Sequence, residues 1–300
     1  MKITDIIKSQ NKTFSFEFFP PKDEISAVDF GINLGQLMKL APSFITVTYG
    51  AGGSTQERTF GLVDYIQNKI GLPTMAHYTC VNATRDKVKQ DLELLYERGI
   101  RNLMLLRGDP PKGQGKFVPI KNGFNYASEL IGFAKELNLF AIGGAAYPEK
   151  HLEAKSLSLD IKNLKTKVDA GADFLITQLF FDNPSYFEFV AQTKKLGIDK
   201  PIIPGIIPIT NFKQIKRFAE MSGAKIPFEL NEKVKEHQDD PKKVYQIGMD
   251  FAIDQCRDLL EKGAPGLHFY TLNKSRATVE IFETLKCDFE KYKQDMSPSI

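Results

Sequence analysis

Cysteine is scarce in this 300-residue chain: three residues, Cys80, Cys256 and Cys287, far apart in sequence. They form no CxxC and no zinc-ligand spacing, which excludes a disulfide framework and points to reduced thiols in a cytoplasmic protein. Long apolar runs are missing too. No stretch of 18 apolar residues occurs, and the opening "MKITDIIKSQ" has no apolar core of a secretory signal, so neither a membrane span nor export is expected. Charge is nearly balanced, 40 Lys and Arg against 37 Asp and Glu for a net +3. With no basic arm, nucleic acid is not an expected partner. The four histidines have no carboxylates at metal-ligand spacing, so no metal is expected. Nucleophile motifs such as GxSxG are absent, as are the phosphate loop GxxxxGK[ST] and the dinucleotide fingerprint GxGxxG.

What is present is a repeated plan: amphipathic helix, glycine turn, short apolar strand. In "TRDKVKQDLELLYERGIRNLMLLRGD", Val88, Leu92 and Leu95 share a helical face, Gly99 sits at the C-cap position, and a nearly continuous apolar strand follows. "DIKNLKTKVDAGADFLITQLFFD" repeats the plan with Ile161, Leu164, Val168 and Gly171. Strands are predicted at 13–19, 44–50, 74–81, 101–108, 139–147, 173–180, 201–208 and 266–273, and helices near 56–70, 84–98, 125–137, 157–170, 183–196, 211–222 and 274–286. Extra helices are expected in the polar stretch 224–262, before the last strand. Eight strands alternating with helices predict a (β/α)₈ barrel, with an open doubly wound sheet as the alternative. No Gly/Ser-rich linker divides the chain, so 1–300 is read as one domain.

In a barrel the C-terminal strand ends build the active site. Those ends carry Glu17; Thr48 and Tyr49; His77 and Thr79; Arg107, Gly108 and Asp109; Tyr147; Gln178; and His268, Tyr270 and Asn273. So many polar groups at one end exceed what core packing explains. Glu17 stands out in "FSFEFFPPKDE", where Phe14, Phe16, Phe18 and Phe19 surround it and Pro20 and Pro21 end the strand. It is either a carboxylate on a wet edge or an acid whose pKa is raised by apolar surroundings. The Gly-rich "GAGGST" at 50–55 suits close approach of a ligand to backbone N–H groups.

Together, "SFEFFPPK", "VTYGAGGST", "HYTC", "LLRGD", "AAYPEKH", "ITQLFFDN", "PGIIPITNFKQ" and "HFYTLN", in this order along the chain, resemble the bacterial methylenetetrahydrofolate reductases. The resemblance implies a flavin-dependent (β/α)₈ barrel in which NADH or NADPH reduces FAD. FAD then reduces 5,10-methylenetetrahydrofolate to 5-methyltetrahydrofolate. It implies Glu17 as the general acid that opens the substrate's five-membered ring, with Asp109 as a fixed anion beside flavin and pterin. It assigns cofactor contacts to Thr48, Tyr49, Ala51, His77, Arg107, Gly108, Asp109, Tyr126, Ala127, Tyr147, His151, Ala154, Asp160, Asn163 and Lys167. Substrate contacts fall on Gln178, on Phe212 and on Lys274, which stands where the family commonly has Arg. A homo-oligomer is implied as well. A C-terminal regulatory domain like that of the eukaryotic enzymes is not expected, nor is inhibition by S-adenosylmethionine. Another flavin barrel and a non-redox pterin-binding barrel are the competing readings.

Overall fold

The computed structural model describes residues 1–50, 56–109 and 117–285. Eight parallel strands close into a barrel in chain order: β1 (Thr13–Phe18), β2 (Phe44–Val47), β3 (Thr74–Thr79), β4 (Asn102–Leu106), β5 (Ala141–Ala146), β6 (Phe174–Leu179), β7 (Ile202–Ile206) and β8 (Gly266–Tyr270). Pairing of β1 with β8 closes the ring, with Glu17 opposite Tyr270 and Ser15 opposite His268. The open doubly wound alternative is thereby excluded.

The helices α3 (Gln56–Tyr65), α4 (Arg85–Glu97), α5 (Ala127–Glu136), α6 (Leu157–Asp169), α7 (Asn183–Lys195), α8 (Phe212–Ser222) and α11 (Arg276–Thr284) lie where the periodicity puts them. α9 (Phe228–Glu236) and α10 (Pro241–Glu261) are the extra pair before β8. Gly99 and Gly171 take the positive φ that their turns require, +82° and +122°. Two helices were not foreseen: α1 (Ile3–Ser9) and α2 (Glu24–Met38). α2 starts at a capping box in which Asp23 and Ser26 exchange side-chain to backbone hydrogen bonds.

Among the described residues the core falls into three clusters, two of which surround β1 and the barrel's lower end. Phe14, Phe16 and Phe18 point outward from β1 into the main cluster between barrel and helices, where Phe16 meets Phe269 and Phe282, and Phe18 meets Phe30. Inside the barrel's lower end, Ile3 and Ile6 of α1 pack on Phe44, Met75, Met104, Phe174, Ile176 and Ile203. Asn102 accepts the Ile3 N–H at 2.7 Å. α1 therefore plugs the N-terminal end of the barrel, away from the strand ends that carry polar residues.

Candidate active site

The period-two alternation of β1 decides where Glu17 goes. With its phenylalanines facing out, Ser15 and Glu17 face into the barrel. Glu17 is 8% exposed. Its Oε2 lies 3.3 Å from His77 Nε2 and 3.4 Å from His268 Nε2, and Thr46 Oγ1 donates to it at 3.4 Å. His268 Nδ1 is in turn 2.8 Å from Ser15 Oγ. His77 approaches off the hydrogen-bond direction, so its buried Nε2 has no hydrogen-bond partner.

This corrects the expected electrostatics. Phe14, Phe16 and Phe18 lie on the opposite face of β1, and Phe19, beyond the strand, is exposed, so they form no apolar pocket around the carboxyl. Burial does push Glu17 upward. The charge of His77, the hydrogen bond and charge of His268, and the Thr46 hydroxyl outweigh it, holding the carboxyl below the usual range. Burial likewise pushes His77 down, against the pull of Glu17.

The strand end behind Glu17 is clamped. Thr271 Oγ1 donates to the Glu17 carbonyl at 2.6 Å. Asn273 makes two hydrogen bonds to the backbone of Phe19, at 2.8 and 2.9 Å. The turn that allows this holds Leu272 and Asn273 at φ +52° and +59°. Over β7, Tyr270 donates to the Thr177 carbonyl at 2.6 Å, and Gly205 lets the two meet: a Cβ there would lie 2.4 Å from that oxygen.

A second cluster gathers after β4 and β5. Arg107 makes a bidentate pair with Glu153, both contacts 2.7 Å. Asp160 accepts the His151 N–H at 2.7 Å, and Tyr147 packs edge-on against the His151 ring at 4.8 Å. Lys167 Nζ donates to the Ala145 carbonyl at 2.6 Å and lies 5.6 Å from the Tyr147 ring. Burial pulls Lys167 down to about 8, with Asp160 opposing. Burial pushes Tyr147 up to about 12, helped by Asp160 and Asp109, which puts the exposed Asp109 in the same field.

Tyr126 and Ala127 stand at the N-terminus of α5, Ala154 in the loop before α6, and Asn163 on the exposed side of α6. Thr48 and Tyr49 follow β2, with Tyr49 packed 5.2 Å from Tyr78. Gly108 has φ +88°, and a Cβ there would meet Thr79 at 2.8 Å. Gln178 is next to last in β6, beside Tyr147 and Glu149, its Oε1 accepting the Leu179 N–H. Phe212 opens α8, and Lys274 is exposed beyond β8. Ala51 and most of "GAGGST" lie outside the described residues, as does Cys287. The sequence reading missed Ser15, Thr46 and Thr271 around Glu17, and Glu153 on Arg107. Ser15 was findable, since it shares the inward face two residues before Glu17; Glu153, 46 residues from Arg107, gives no local signal.

A closed (β/α)₈ barrel with a buried acid between two imidazoles, and cations gathered on the same rim, is the architecture of an enzyme built to work on a small molecule. The sequence comparisons place it further. The model of the methylenetetrahydrofolate reductase family matches residues 2–286, and the chain belongs to that family. It is 41% identical over 271 residues to the 5,10-methylenetetrahydrofolate reductase of Escherichia coli strain K12, covering 90% of each chain. It is 40% identical over 300 residues to methylenetetrahydrofolate reductase (NADH) 1 of Arabidopsis thaliana, covering 95% of this chain and spanning 51% of that one. Among solved structures, an uncharacterized Clostridium thermocellum protein that binds two copies of 5-methyl-5,6,7,8-tetrahydrofolic acid shares the fold. Its TM-score is 0.64 at 15% identity, covering 97% of this chain and 100% of that one.

Proposed function

We propose that this chain reduces 5,10-methylenetetrahydrofolate to 5-methyltetrahydrofolate, taking hydride from NADH or NADPH through bound FAD. The observation that carries the reading is Glu17, buried at the barrel mouth within 3.4 Å of both His77 and His268, in a chain of this family. The residues fit the cofactor. His77 Nε2 and Thr79 Oγ1 are buried at the mouth without hydrogen-bond partners. Gly108 brings its backbone against Thr79 with no side chain between them and the rim. Arg107 and Lys167 supply cations for a pyrophosphate. With them, Thr48, Tyr49, His77, Asp109, Tyr126, Ala127, Tyr147, His151, Ala154, Asp160, Asn163 and the loop residue Ala51 would hold it. FAD, when bound, supplies the hydride.

The protein's own task is the proton. The substrate's one-carbon bridge accepts hydride only after its ring opens to an iminium cation, and protonating the leaving nitrogen opens it. Glu17 delivers that proton. With the mouth open, Glu17 rests as a carboxylate, held below its usual range by its imidazole and hydroxyl neighbours. Filling the mouth removes water, which penalises the charged carboxylate and shifts Glu17 toward the neutral acid that the step needs. Asp109 stabilises the cation as a fixed anion. Gln178 and Phe212 position the pterin, and Lys274 meets the folate's carboxylate tail.

One mouth serves both substrates, so they bind in turn and the kinetics are ping-pong. The buried free thiols Cys80 and Cys256 support a reducing, cytoplasmic setting, and the chain works as a homo-oligomer. The visible spectrum of purified protein tests the reading. Yellow protein that NADH or NADPH bleaches, and that methylenetetrahydrofolate recolours, is the expected result. A colourless protein, or bleached flavin that the folate leaves unchanged, overturns it.

A further inference from the structure

We propose that α2 is a self-association surface on which two copies of this chain pair antiparallel about a twofold axis. One face of α2 buries Phe30, Leu34 and Leu37. The opposite face carries Ile25, Val28 and Ile32, which are 79%, 64% and 60% exposed. Exposed apolar side chains scattered singly mean little. Three at spacings i, i+3 and i+7 form a stripe, the pattern of a helix that packs against a partner.

Two glycines run beside the stripe. Gly31 and Gly35 are exposed, and a Cβ on either would meet nothing within 4 Å. Glycine in a helix interior lowers stability relative to alanine, and nothing in the fold requires it at these positions. A second helix lying close against this face does.

The sequence of the face identifies that second helix as another α2. Laid antiparallel so that Glu24 stands level with Lys39, the helix sets Val28 opposite the partner's Gly35, and Gly35 opposite the partner's Val28. Ile32 falls beside the axis, next to the partner's Ile32 and Gly31. Both ends then pair Glu24 with Lys39, acid to base. Size and charge agree in one register, the self-complementarity that an isologous pair demands and a foreign partner does not. α2 lies outside the barrel, so the pairing leaves the mouth open, and the proposal is independent of the reaction assigned above.

Sedimentation velocity on the full chain at ~50 μM, where even a micromolar pair is mostly formed, is the test. The parent should sediment as a dimer or a larger even assembly. Gly31→Gln combined with Gly35→Gln should keep or raise Tm, because both side chains enter open space on a helix, yet loosen the dimer by ~100-fold or more. Glu24→Lys should weaken it ~10-fold, and adding Lys39→Glu should restore it, because the twofold reverses both contacts. A monomeric parent, a glycine variant with unchanged dimer mass, or a double charge reversal that fails to recover would each overturn the proposal. Should the glycine variant misfold, Val28→Ser with Ile32→Ser reads the same outcome.

Discussion

A carboxyl that must hold a proton is usually surrounded by hydrocarbon; Glu17 has imidazoles instead. Its proposed role in delivering a proton sets the expected behaviour of Glu17→Gln. Glutamine is close to isosteric, so packing and the Thr271 clamp should survive. The variant should stay yellow and be bleached by reduced nicotinamide within about tenfold of the parent rate, since that step needs no protein acid. Folate-dependent reoxidation should fall by ~100-fold or more. Stopped-flow traces of the two half-reactions decide, and an equal loss in both would remove Glu17 from its role. Lys167 gives a pH signature. Its ammonium loses its proton near 8 in the folded protein against 10.5 in the ordinary state. Between those values the unfolded chain holds the extra proton, so raising pH favours the folded chain. Urea unfolding from pH 8 to 10 should show this gain in the parent and a smaller one in Lys167→Met. At residue scale the sequence disclosed that Glu17 and polar residues at the neighbouring strand ends gather at one end of the barrel. It did not disclose what holds the Glu17 carboxyl below its usual range, which depends on His77 and His268 meeting it inside the barrel.

At the scale of elements, all eight strands were legible, β1 from its aromatic alternation and others because parallel strands covered on both faces read as apolar runs. Their ends were drawn too long by up to three residues: the last strand stops at Tyr270, not Asn273. The residues beyond it are a turn whose work is to fix β1. Asn273→Ala removes both hydrogen bonds to Phe19 and leaves an alanine at positive φ. A loss of ~1–3 kcal/mol is expected, with kcat falling while flavin content holds, because the acid's strand end loosens. Calorimetry and turnover on the same sample check this; unchanged turnover would confine the clamp to stability. α2 escaped the sequence reading for a physical reason. With Phe30, Leu34 and Leu37 on one face and Ile25, Val28 and Ile32 on the other, it is apolar nearly all round and shows no clean helical period. α1, seven residues long, was too short to show a period.

At the scale of the whole molecule, the closed barrel followed from eight alternating units, while its sealed lower end did not. That seal is α1, and its worth is measurable. Ile6 is 3% exposed, so Ile6→Ala should destabilise the protein by about 2–4 kcal/mol while the folded fraction still binds flavin. A variant as stable as the parent would mean that the barrel's lower end closes without it. The plug also imposes an order of events on synthesis. Ile3 is among the first residues to leave the ribosome, yet its seat includes Phe174 and Ile203, which emerge only after more than half the chain has been made. Until β7 arrives, the amino-terminal segment has nowhere complete to dock, and its apolar side chains wait in water or in the care of a chaperone. The first turn of helix made is thus among the last to find its place, and the barrel is sealed from below only when its ring is nearly whole.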